Sequence, residues 1–161
     1  MKTSSKQNLA WIFAPLVVGL VVPSAIIFCL EVFVGHISPV IATIDILQRQ
    51  FKEGDNLFLT ALFGLIPFGA LSVACVVASR RLSPVRLSCF GAGGLLGILC
   101  LMIPAHVGVW YPLYGGGHMS STAMIAFFFI PFYCIVTLCI GLFVGWLVSL
   151  LPVFRHGSQV A

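Results

Sequence analysis

The chain has 161 residues, 60% of them hydrophobic and 7% charged, with a mean hydropathy of +1.15. A soluble domain carries about a quarter charged residues; the polar surface here is too small to coat a globule in water, so the solvent has to be mostly lipid. The net charge of +4 comes from bases scattered near the ends of apolar runs, not gathered into a stripe, which argues against nucleic acid as a partner.

The first apolar run extends from about Leu9 to Leu30 and stops at Glu31. Crossing a hydrocarbon core takes about 20 helical residues, so this run is long enough to span. Lys2 and Lys6 precede it as they would in a signal peptide. The run is too long for a typical signal core and no A-x-A site follows, so it reads as an uncleaved first span. Val32, Phe33 and Val34 continue the apolar character past Glu31, which places that carboxyl near the edge of the hydrocarbon. Intramembrane acids often mark proton or ion paths because burying their charge is costly. Glu31 is therefore the candidate for proton or cation handling; the plainer alternative is a carboxylate reaching water at a helix end.

Ser38 followed by Pro39 reads as an N-cap and first helical position. Ile41, Ile44, Leu47 and Phe51 then recur every three or four residues, with Asp45, Gln48, Arg49 and Lys52 on other faces. The pattern predicts a short amphipathic helix over about 39–52, lying at the membrane surface as a connector or a lid. The second span runs over about 57–79. RRLSPVR at 80–86 forms a tight turn with Pro84 as its breaker, so spans two and three make a hairpin.

The third span covers about 87–105. Trp110, Tyr111 and Tyr114 follow as an interfacial aromatic belt, then Gly115, Gly116 and Gly117 as a link. Ser120, Ser121 and Thr122 supply hydroxyls to cap the fourth span, placed at about 122–151. That span would be about 45 Å long at 1.5 Å per residue, so it has to tilt, kink at Pro131 or project from the lipid. The expected fold is an all-α integral membrane protein, a four-transmembrane-helix bundle occupying residues 1–161 as one membrane domain. Small residues spaced by four, Gly93 and Gly97 on span three and Thr137, Gly141, Gly145 and Ser149 on span four, are the expected packing seams.

Orientation follows from the bases. With the N-terminus inside, Lys2, Lys6, Arg80, Arg81, Arg86 and Arg155 lie on the cytoplasmic side and only Arg49 and Lys52 outside. Six against two predicts cytoplasmic termini. A bacterial inner membrane is the default location for such a chain.

His36, His106 and His118 fall at the outer boundary in this topology and are the candidate zinc or copper ligands, although no HxxxH or HxH pair links them. The six cysteines all lie in apolar stretches without a CxxC pair, as expected of small residues at helix contacts. No catalytic residue is assigned. The chain lacks a GxSxG elbow, a Walker loop and HExxH, no histidine falls mid-span to hold haem, and no cofactor is expected.

These features lead to a non-enzymatic accessory, assembly or interaction subunit. Its partners would be the bilayer and either a protein subunit or further copies of itself. The alternative is a small oligomeric transporter or channel using Glu31. A membrane enzyme acting on lipid or quinone comes last, for want of a nucleophile or acid–base pair.

Overall fold

The computed structural model describes residues 5–52, 57–118 and 123–151. Five helices follow one another: α1 (Ser5–Phe33), α2 (Pro39–Arg49), α3 (Leu57–Ala78), α4 (Pro84–Tyr114) and α5 (Ala123–Val148). All but α2 are long and apolar enough to cross a membrane. The architecture is an all-α four-helix bundle with a short fifth helix at one end.

α1 ends where the backbone turns at His36, whose φ of 53° lies in the left-handed region. Histidine enters that region more readily than bulky residues do. The turn is fixed by the Val34 and Gly35 amides donating to the Leu30 carbonyl and the Ile37 amide donating to that of Glu31. Three residues after His36, α2 begins as expected, with Ser38 as N-cap, its hydroxyl accepting from the Ile41 amide at 3.5 Å, and Pro39 in the first turn.

α2 stops at Arg49, three residues before the expected end. Beyond it the Gln50 amide closes back on the Leu47 carbonyl and the Gln50 carbonyl accepts from the Phe58 amide. The connection to α3 takes the bond that a longer helix would need. The periodic apolar stripe Ile41, Ile44 and Leu47 is exposed, and the face turned to the bundle carries Ala42, Ile46 and Arg49.

Pro84 opens α4 behind the N-cap Ser83, so it starts the third span and does not merely break the turn. The helix then continues through Pro104 and Pro112 to Tyr114. The expected end near residue 105 was nine residues too early, because neighbouring helices tolerate proline inside a membrane span. α4, with 31 residues, is therefore the longest helix, at about 46 Å. The fourth span is shorter than expected: α5 has 26 residues and ends at Val148, after which the Leu150 and Leu151 amides tighten onto Leu147 and Val148. Capping by Ser120, Ser121 and Thr122 lies outside the described residues.

α4 packs most extensively on α5 and α1 on α3, while α2 packs chiefly on α1. The main core, built around Phe68, Leu71, Leu87, Ile98 and Met102, closes the middle of the bundle. A second cluster at the α2 end joins Ile26, Ile27 and Leu30 to Ile46, Leu57 and Trp110. Cys75 and Cys134 lie in the core, whereas Cys29, Cys100 and Cys139 are exposed on the helix surfaces.

The α4–α5 contact is backbone on backbone. Gly93 and Gly97 meet Thr137, Gly141 and Gly145 so closely that a Cβ on any of the four glycines would strike a facing carbonyl oxygen. Ser149 continues the α5 row and is buried, its hydroxyl donating to the Trp146 carbonyl at 2.6 Å. Gly108 is the contrast, with nothing within 4 Å of an added Cβ. Gly108→Ala is expected to leave thermal stability in detergent unchanged or raise it by up to about 1 kcal/mol, since alanine is the better helix former. A loss larger than that would mean the site is crowded.

Candidate functional site: a buried acid clamped at the α2 end

Glu31 sits on the last turn of α1 with its side chain only 2% exposed. A lone carboxylate there would be costly, and the fold answers with a base from α2. Arg49 Nη1 lies 3.1 Å from Glu31 Oε1 and 3.2 Å from Asp45 Oδ2. Asp45 precedes Arg49 by four residues, so both lie on one face of α2. The same Arg49 nitrogen donates to the Tyr114 hydroxyl oxygen at 2.8 Å, and that hydroxyl donates to Glu31 Oε1 at 3.0 Å. Arg49 Cζ also stands 5.6 Å from the centre of the Trp110 ring, within cation–π range.

Three elements are thus tied through one guanidinium. Formal charges are −1 for Glu31, −1 for Asp45 and +1 for Arg49, leaving −1 in all. The Asp45 side chain is 47% exposed and keeps its hydration, whereas Glu31 has no such contact with solvent. Next to the clamp, Gln50 Nε2 donates to the Ser24 hydroxyl at 3.4 Å and to the Ile46 carbonyl at 3.2 Å, holding the end of α2 against α1.

α4 supplies a polar stripe to the same end. Tyr114, Trp110 and His106 are spaced by four and share one face of the helix. Trp110 and His106 are both buried, and their rings lie 5.4 and 5.5 Å from the Phe127 ring of α5. Three buried atoms in this region have no hydrogen-bond partner among the described residues: Glu31 Oε2, Trp110 Nε1 and His106 Nδ1.

The fold does not gather the three histidines proposed as ligands. His36 forms the α1–α2 turn and is exposed, His118 follows α4 and is exposed, and His106 is buried inside the bundle. His106 falls inside α4, eight residues before its end, because that helix runs past the limit expected at residue 105. Among the described residues no group of three His, Cys, Asp or Glu could hold a metal ion. The small-residue row lies along the α4–α5 contact, away from the clamp.

Sequence reasoning singled out Glu31 but missed its partners. In the sequence Arg49 reads as a topology signal, and Trp110 and Tyr114 as an aromatic belt. A usable signal was present: an acid inside an apolar run asks for a countercharge, and Arg49 was one of two bases assigned to that side. Comparisons with protein-family models, curated proteins and solved structures return no match to the chain.

Proposed function

We propose that this membrane protein is a non-enzymatic accessory, assembly or interaction subunit that presents α2 at the outer face of a bacterial inner membrane, with both termini cytoplasmic. The observation that carries this reading is the clamp. Glu31, the one acid within a span, is bound by Arg49 and Tyr114 and so fastens α2 to α1 and α4. Fastened in this way, α2 holds Val40, Ile41, Ile44 and Leu47 outward, each at least half exposed. An apolar stripe held rigidly at the edge of a bundle suits docking to a membrane-embedded subunit.

Two further points support the reading. Phe68, Leu71, Ile98 and Met102 have no exposed surface and fill the middle of the bundle, so a single copy offers no open pore there. The orientation rests on the bias of bases, which is stronger once Arg49 is neutralised by Glu31.

The transporter reading draws on the unpaired polar atoms beside the clamp. Reconstitution separates the two. In liposomes the purified chain is expected to pass protons and potassium no faster than protein-free vesicles do. In mild detergent it is expected to hold a second polypeptide in fixed stoichiometry, released by Leu47→Lys. Ion flux that disappears with Glu31→Gln would instead make the chain a small oligomeric transporter or channel.

A further inference from the structure

The clamp accounts for one oxygen of Glu31. It does not account for the other, nor for Trp110 and His106, which follow Tyr114 at successive turns of α4. Glu31 Oε2, Trp110 Nε1 and His106 Nδ1 are all buried and have no partner among the described residues. Burying such a group without a partner is unfavourable inside a protein. Glu31 joins the α4 stripe at Tyr114, and Trp110 and His106 extend it along the next two turns, so one ligand chemistry would serve all three.

Their hydrogen-bonding capacities define it. The indole N–H can only donate, an ionised carboxylate oxygen can only accept, and an imidazole nitrogen does either depending on protonation. A metal ion is a poor match, because the indole offers no lone pair and three ligating groups are not assembled. A proton matches. The carboxyl and the imidazole can each take one, and the indole donates to whichever oxygen stays unprotonated.

Charge gives the same answer independently. Two carboxylates share one guanidinium in the clamp, and a single proton brings the sum from −1 to zero. The geometry also provides for Arg49 once Glu31 is neutral, since Asp45 Oδ2 is already 3.2 Å away on the same helix. The charged and titratable groups facing Glu31 are Arg49 and Asp45 from α2 and Tyr114 from α4. Leu57 of α3 and Phe127 of α5 contribute apolar surface to the same region.

We propose that Glu31 and His106, with Trp110 between them on the α4 stripe, form a buried proton-binding site closed by Arg49 of α2. Loading adds one proton from the aqueous phase to Glu31 Oε2 and leaves Arg49 paired with Asp45. His106 Nδ1 is the second seat, reached across the Trp110 level, one helical turn of about 6 Å farther along α4. The loaded site holds α2 to α1 less firmly, because the Arg49 ion pair then lies within α2, while the Arg49–Tyr114 bond still ties α2 to α4. This inference goes beyond the accessory reading: a subunit can bind protons without conducting them, and the experiment below measures binding, not flux.

Trp110 is a built-in reporter, because the chain has three tryptophans. Trp11→Phe with Trp146→Phe leaves Trp110 as the single indole. Its emission is to be followed in detergent from about pH 8 to about pH 4, a range bracketing ordinary imidazole and carboxyl titrations. A reversible change is expected that moves to lower pH in Asp45→Asn, where the clamp is already neutral, is diminished in Glu31→Gln and is lost in Glu31→Gln with His106→Gln. Constant emission across the range, or an unaltered transition in the double variant, would overturn the site. So would a response to sodium at fixed pH, which would make it a cation site. Should the tryptophan replacements unfold the protein, infrared difference spectra of the unaltered chain read the same event. A protonated-carboxyl band absent from Glu31→Gln is expected, and an identical spectrum in that variant counts against the proposal.

Discussion

Arg49→Met is expected to destabilise the bundle by about 3–5 kcal/mol, the range for removing one partner of a buried ion pair. The loss arises mainly from what remains behind. Glu31 keeps the Tyr114 hydroxyl at 3.0 Å but faces the apolar interior with no countercharge, and the indole face of Trp110 loses its cation. Replacing both partners removes the problem at its source. Glu31→Met with Arg49→Met leaves two flexible apolar side chains and is expected to recover most of the stability. Arg49→Lys should lie between wild type and Arg49→Met, because an ammonium lacks the planar fork that serves Glu31, Asp45 and Tyr114 together. Thermal unfolding in detergent, with all four proteins compared at one pH, checks the ordering. If the double variant were as unstable as Arg49→Met, packing of the side-chain stems and not charge would be what matters at this site.

The same residues show how far the sequence could be read. The spans were legible because a long apolar run has few alternatives to crossing lipid. Their ends were not, since Pro104 and Pro112 look like breakers yet sit inside a continuous α4. The start of α2 was legible from Ser38 and Pro39, whereas its end depended on Gln50 bonding to Phe58, a tertiary contact. Periodicity showed that α2 is two-faced but not which face meets the bundle. In a bilayer the apolar stripe satisfies itself against lipid as well as against protein, and here the buried face is the one carrying Arg49. Glu31 was legible as an anomaly. The need for a countercharge narrows its partner to Arg49 or Lys52 but goes no further, because Arg49 is 18 residues away and Tyr114 is 83 residues away, and no local pattern links them.

Gly97→Val is expected to be the most damaging single change outside the clamp. Membrane helices gain little from hydrophobic association, so their packing rests on close van der Waals contact, and bulk at the point of closest approach removes that contact along the whole seam. At Gly97 the obstacle is the Thr137 carbonyl oxygen, with the Gly141 Cα 3.1 Å from the added Cβ. Backbone cannot rotate aside as a flexible side chain can, so the helices have to separate. Gly97→Ala should already cost about 1–3 kcal/mol, with valine at or beyond the top of that range. Gly141→Ala introduces the same conflict from the other side, against Gly93 and Gly97. Once either methyl has forced α4 and α5 apart, the second meets less resistance, so the double alanine variant is expected to cost less than the sum of the singles. Unfolding midpoints in detergent, with Gly108→Ala as the uncrowded control, test both statements. Alanine tolerated equally at 97 and 108 would mean that α4 and α5 are held by the larger side chains flanking the seam, Leu138 and Leu142 against Gly94.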